Sequence, residues 1–387
     1  TANAFKETIT DIPGATWASG PTIGTARYFL SGVGNPSNAL VFGGTLYSPN
    51  ATAATEEWNG SAWSEKNDLN TAYRGRGALG VYNAAVACGG GGGSPPGNTA
   101  DTETWNGTSW TEVNNLNTAK SGTINMGTAT AGIIAAGETS PGTSVESWDG
   151  TNWTEVNDLN TARRFLAGAG STTAALGFGG YIGPNTAANE SWNGSSWTEV
   201  ADLNTARNDL GGSGTQTAAL GFGGTGPGTT AITESWNGSA WTEVADLNSA
   251  RKAGANSGTQ TAALMSGGQS APGPNVAQTE SWDGTSWTEV NDLSTAIRSN
   301  KGTSAGTNTT SMSHGGGVPP SATTQTEEWT FSGIDPSTTP ATEYSDAIIG
   351  DFYYNSTTGQ FKQINTGGAP LGSWSSGGSI NQTRSGM

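Results

Sequence analysis

Fourteen of the fifteen tryptophans in this 387-residue chain fall into two series, each recurring seven times at intervals of 43 to 47 residues. The first series is Trp58, Trp105, Trp148, Trp192, Trp236, Trp282 and Trp329; the second is Trp17, Trp63, Trp110, Trp153, Trp197, Trp241 and Trp287. A fixed period of this length marks a repeat architecture, in which each unit is one supersecondary element that buries its core only by stacking on its neighbours. Six units read W-[ND]-G-x-x-W, and five of them continue into W-T-E-V-x-[ND]-L.

Within a unit, short apolar runs bounded by polar turn clusters predict four strands, here called a, b, c and d. Between Trp153 and Trp192 they fall around 163–170 and 174–180, then before Trp192 and after its turn. Gly and β-branched content argues against helix. Asn-Gly or Asp-Gly between the paired tryptophans, beginning at Asn59, Asn106, Asp149, Asn193, Asn237 and Asp283, predicts a two-residue hairpin with both central residues at positive φ. The distance from a second-series Trp to the Gly-Gly (or Ala136-Gly137) that ends strand b is 26 residues in six units and two longer in the seventh. From the end of that pair to the next first-series Trp it ranges from 11 to 15, so length variation concentrates in the b–c loop. Fixed strands with one variable loop suit a scaffold that carries a functional face.

The orphan Trp17 at the start and the orphan Trp329 at the end predict ring closure, with the N-terminal strand serving as strand d of the last blade. Closure removes the exposed edge that an open array would leave. The expected fold is therefore all-β: a seven-bladed propeller of four-stranded blades over residues 14–333. An N-terminal linker (1–13) would precede it, and a linker with a β-hairpin (334–373) would follow. Residues 374–387 read as the start of a further repeat, since Trp374 and its surroundings align with Trp17 and its own; this implies a longer chain of tandem propellers.

Net charge is −16, but much of it is periodic. A Glu stands two residues before every first-series Trp (Glu56, Glu103, Glu146, Glu190, Glu234, Glu280, Glu327), and a basic residue stands ten after most second-series Trp (Arg27, Lys120, Arg163, Arg207, Arg251). In the other two units Arg74 and Arg298 are the expected substitutes. Ion pairs of structural role follow, worth little each if exposed. The acidic balance disfavours nucleic acid and anionic membrane surfaces as partners. A single cysteine, Cys88, forbids an internal disulfide, and no apolar run reaches the length of a spanning helix, so no membrane insertion is expected.

Gly-Gly, an aromatic followed by Asn/Asp-Gly, a second Trp, then Thr-Ala-Arg together resemble the kelch repeat. The near-identical W-N-G-S-x-W-T-E-V and D-L-N-T-A-R copies are similar to kelch-like proteins of marine bacteriophages. The stretch from Ile349 to Lys362 resembles short hairpin modules of phage tail-fibre proteins. The resemblance implies glycine pairs ending strand b, aromatics packed between blades, and a place on a virion or extracellular surface. It does not fix an activity, because kelch propellers serve as enzymes, adhesins and binding platforms.

Candidate chemistry is sparse. A copper oxidase of the kelch class requires two histidines and a Tyr–Cys pair, whereas His314 and Cys88 are each unique and occupy the strand-b slot filled elsewhere by Phe42, Phe178 and Phe222. Neither a metal nor any other cofactor is expected, and no catalytic residue is assigned. The Gly89–Gly93 run lacks the Lys and helix of a phosphate-binding loop. Two readings remain. One is a non-enzymatic virion fibre protein whose b–c loops contact a host cell-surface glycan or protein, alongside other virion proteins; a bacterial surface adhesin is a variant of it. The other is a glycan-active enzyme, which would need two non-repeating carboxylates. For the first, the candidate binding residues are Tyr47, Pro49, Pro95, Pro96, Tyr181, Pro184, Pro227 and Pro272. The seven first-series tryptophans are expected to be structural, buried between blades.

Overall fold

The computed structural model describes residues 15–46, 51–92, 97–137, 142–270, 273–299, 301–302, 306–319, 321–331, 352–355 and 360–363. Seven four-stranded antiparallel sheets form a β-propeller, and no helix occurs among the described residues. Blades 1 to 6 occupy residues 31–65, 77–112, 124–156, 167–199, 211–243 and 255–290, each in the order a-b-c-d. In blade 4, strand a is Ala167–Gly170, b is Ala175–Phe178, c is Asn189–Trp192 and d is Trp197–Glu199. Blade 7 takes strands a to c from Lys301–Gly302, Thr310–His314 and Thr326–Phe331, and strand d from Ala15–Ser19 at the other end of the chain. Trp17 pairs opposite Trp329, so the N-terminal strand closes the ring.

Position within a blade decides residue type. Strand a lies innermost, where adjacent blades meet strand a to strand a, and there the central residues are small or polar: Gly32, Ala78, Asn125, Gly168, Gly212 and Asn256. Strand b is buried along its length in blade 4 as in most others, and it packs sideways on the next blade. Phe42 meets Trp110 at 4.8 Å between ring centroids, Phe178 meets Trp241 at 4.8 Å and Phe222 meets Trp287 at 4.9 Å. His314 fills this slot in blade 7, 5.7 Å from Trp63, and Cys88 fills it in blade 2. Full burial pushes the Cys88 thiol up to about 12, which leaves it protonated and inert at neutral pH.

The two tryptophan series have different jobs. Each first-series Trp is at most 3% exposed, and its indole N–H donates to a carbonyl in the a–b turn of its own blade, as Trp192 does to Thr172 at 2.9 Å. Five of the second-series residues reach back to the preceding blade: Trp110 donates to Thr55, Trp153 to Thr102, Trp287 to Thr233 and Trp17 to Thr279, all at 2.9–3.0 Å. Trp63 does the same to Thr326, which ties blade 1 onto blade 7. The paired rings of one blade lie 5.2–5.5 Å apart and tilted. Burying 150–250 Å² per indole makes these residues the main apolar cement.

The c–d turns differ from expectation. Trp192 pairs with Trp197, leaving a four-residue connection in which Gly194 has φ +94° while Asn193 is not at positive φ. The Asn193 side-chain oxygen accepts from the backbone N–H of Ser195 and Ser196, and the same bonds recur at Asn59, Asn106, Asp149, Asn237 and Asp283. A side chain that satisfies the turn's donors removes the need for a second left-handed residue.

The chain divides into two compact units, residues 1–331 and 332–387. Within the second unit, Phe352–Asn355 pairs antiparallel with Gln360–Gln363 as a hairpin. The linker expected at 1–13 and the repeat start expected at 374–387 lie outside the described residues.

Candidate functional site

Strand alternation places the b–c and d–a connections on one face, where each d–a segment runs inward from strand d of one blade to strand a of the next. The outer part of that segment is a clasp. In the Leu-Asn-Thr turn after blade 3, the backbone N–H of Asn160 and Thr161 and the Asn160 amide all donate to Glu190 on strand c of blade 4. Arg163, two residues on, reaches the same carboxylate at 2.6 Å. Equivalent pairs are Arg27–Glu56, Lys120–Glu146, Arg207–Glu234 and Arg251–Glu280, at 2.8–3.1 Å. Their charged side chains are almost wholly removed from solvent, so these are buried clasps between blades rather than weak surface pairs. Desolvation lowers the Arg27, Arg163, Arg207 and Arg251 guanidiniums from their ordinary value, and each glutamate opposes that shift.

Two substitutes differ from those expected. In blade 2 the cation that meets Glu103 is Arg76, at 3.0 Å, not Arg74. Tyr73 occupies the slot ten residues after Trp63, and Arg76 reaches in from the edge of strand a. Arg298 donates to Gln269 at 2.9 Å instead of meeting Glu327. Ile297, which is buried, occupies the cation's column, and Glu327 is held by the Ser294 backbone N–H; burial raises its carboxyl above the ordinary range.

Inside the clasps lies a second circle. The residue twelve after each second-series Trp has a left-handed backbone in all seven blades: Phe29 (φ +51°), Gly75 (+59°), Gly122 (+65°), Phe165 (+56°), Asp209 (+52°), Ala253 (+53°) and Ser299 (+51°). Neighbours along this circle are hydrogen-bonded: Gly75 N–H donates to the Phe29 carbonyl at 2.8 Å, Asp209 to Phe165 at 3.1 Å and Ser299 to Ala253 at 2.9 Å. A side chain in this conformation costs about 1–2 kcal/mol, and five of the seven positions carry one. Phe29, Ala253 and Ser299 line an axial cavity of about 700 Å³ that continues past Gly32, Asn125 and Asn256 to Gly80, Gly127 and Gly170. Among the described lining residues Arg76 is the one ionisable group, and it is committed to Glu103.

One residue outward, the circle reads Tyr28, Arg74, Ser121, Arg164, Asn208, Lys252 and Arg298. Six of these positions form antiparallel bridges to the first residue of a b–c loop, at Thr45, Gly91, Tyr181, Thr225, Gln269 and Gly317. The loops are thereby tied to the mouth of the channel. Arg164 lies over Phe165 at 5.1 Å and over Tyr181 at 5.4 Å, Arg74 lies over Phe29 at 5.9 Å, and Tyr28 packs on Phe29 at 4.9 Å. Among the described residues, three of the four large exposed apolar side chains, Phe29 (45%), Leu46 (41%) and Ile182 (51%), belong to this face.

Of the candidate binding residues, Tyr181 and Pro184 sit together at the blade 4 loop, where the Ile182 N–H donates to the Pro184 carbonyl at 2.9 Å. Pro227 is exposed in the blade 5 loop. Tyr47, Pro49, Pro95, Pro96 and Pro272 lie outside the described residues. Sequence reasoning missed Phe29, Phe165 and the cations beside them. Their signal is the pair of variable columns eleven and twelve residues after each second-series Trp, directly beyond the near-constant base in column ten.

Among the described residues no group of three or more His, Cys, Asp or Glu is placed to hold a metal ion, and no helix is long and apolar enough to cross a membrane. No protein-family model matches the chain, and no curated protein matches it. Among solved structures, that of YjhT aligns over 68% of this chain and 96% of its own, with a TM-score of 0.53 and 13% identity. At that identity the likeness shows the propeller fold alone.

Proposed function

We propose that this chain is a non-enzymatic recognition propeller of the kelch type, belonging to a virion fibre or comparable extracellular surface, which binds a host-surface glycan or protein through its b–c face. One observation carries the reading. Among the described residues, three of the four large exposed apolar side chains gather on one face, around a channel mouth whose described lining residues offer no uncommitted acid–base pair. Rigid amphipathic rings beside an open cavity suit sugar or peptide contact. The assignment to a phage fibre is supported by the repeat consensus and the tail-fibre-like hairpin sequence.

A glycan array probed with the full chain tests this. Binding is expected, and it should be lost when the b–c loops are all replaced by the short Gly137–Trp148 version while the melting curve stays cooperative. Binding that survives the exchange moves the contact elsewhere, and release of shortened glycan products on incubation would establish an enzyme.

A further inference from the structure

Among the described residues, the circle around the channel mouth carries more cations than carboxylates, against the acidic balance of the chain as a whole. The chain holds 15 Lys and Arg against 31 Asp and Glu, and six of the cations are sequestered in the buried clasps. Of the rest, Arg74, Arg164, Lys252 and Arg298 take four of the seven places in the circle around the mouth. The carboxylate among them is Asp209, 3.8 Å from Lys252 and raised from its ordinary value by burial. Asp101 ends the blade 2 loop. The other carboxylates of this face, Asp68, Asp158, Asp202, Asp246 and Asp292, sit in the outer d–a turns, where each accepts from the backbone N–H at the start of strand c. Arg74 and Arg298 meet no carboxylate among the described residues; the first stacks on Phe29 and the second donates to Gln269. A guanidinium held against a ring keeps its N–H edge available for an oxyanion. The same places therefore offer aromatic area and fixed positive charge, at an aperture built from strained left-handed residues, and strain of this kind concentrates at ligand sites.

We propose that this aperture is a subsite for an acidic glycan, whose sugar rings lie on Phe29, Phe165 and Tyr181 while its carboxylate or sulfate groups meet Arg74 and Arg298. The inference rests on the recognition reading above and narrows it to anionic saccharides. The acidic outer surface would repel a polyanion everywhere except at the mouth, which confers orientation as well as affinity.

The test measures binding of the full chain to immobilised polygalacturonate (carboxylate) and dextran sulfate (sulfate), with dextran as neutral glycan and polyglutamate and a single-stranded oligonucleotide as polyanions without sugar acids. Binding to at least one acidic polysaccharide is expected, and whichever binds identifies the acid group. The double variant Arg74→Ala/Arg298→Ala should weaken it at least tenfold, and Arg74→Lys/Arg298→Lys should restore most of the loss. Phe29→Ala should weaken it without changing its salt dependence. These side chains lie at the surface, so melting should be unchanged. If dextran or neutral array glycans bind and the arginine variants bind them equally, the acidic assignment fails and the recognition reading stands. Equal binding of polyglutamate or the oligonucleotide reduces the mouth to a non-selective cationic surface and overturns the proposal. No binding to any glycan, acidic or neutral, overturns the proposal and restricts the recognition reading to a protein ligand.

Discussion

Among the described residues Glu327 is the one ring glutamate without a cation, because Ile297 stands where five other blades place Arg or Lys. Its carboxyl is raised by burial above an ordinary value of 4.5, so the native state keeps the proton at pH values where the unfolded chain has lost it. Stability from this group is therefore greatest below the unfolded value and is lost as pH rises through the folded one. Ile297→Arg should complete the seventh clasp, pull the carboxyl back down, and stabilise the protein at pH 7 by about 1–3 kcal/mol. The gain should shrink toward zero near pH 4, as read by melting curves at the two pH values; destabilisation at pH 7 would show that the site cannot admit a guanidinium. At this scale the acid–base pairing was legible because both partners recur in fixed columns. The substitutes were not, because Arg74 stands nearer the column than Arg76 does, and only the fold shows that it is Arg76 that reaches Glu103.

The blade is the element that sequence specifies most completely. Its strands follow from alternation between turn clusters, its closure from the orphan tryptophans, and its strand-b slot from the column that Phe178 shares with His314 and Cys88. Turn chemistry was less legible, since Asn-Gly is common to two hairpin types and the choice depends on whether the Asn side chain caps the loop. The b–c loops were least so, because their anchor is the tertiary bridge from residues such as Arg164 to Tyr181, with Asn185 reaching across to the Thr225 carbonyl of the next blade at 2.9 Å. Trp192 stands for the cement at this scale. It is 1% exposed, packs against blade 3 residues including Ile133, and spends its N–H on Thr172. Trp192→Ala should cost about 3–5 kcal/mol in denaturant unfolding. A loss under 1 kcal/mol would mean that the ring does not depend on these indoles.

Across the whole molecule, sevenfold repetition and function pull in different directions. Columns that hold the ring together are nearly constant in all blades, whereas the circle at the mouth is not: Phe, Gly, Gly, Phe, Asp, Ala and Ser share one left-handed backbone. That asymmetry turns a symmetric scaffold into a face with distinct sides, with Phe29 and Leu46 on blade 1 and Phe165, Tyr181 and Ile182 on blade 4. The central claim is that recognition takes place there. Hydroxyl-radical footprinting of the full chain, free and saturated with a glycan that it binds on the array, tests this most directly. Protection is expected at Tyr28, Phe29, Leu46, Phe165, Tyr181 and Ile182, with Val81 and Tyr82 at the opposite, a–b end unchanged. Protection confined to Val81, Tyr82 and the Asn-Gly turns, with Phe29 and Tyr181 oxidised as in the free protein, would contradict the account.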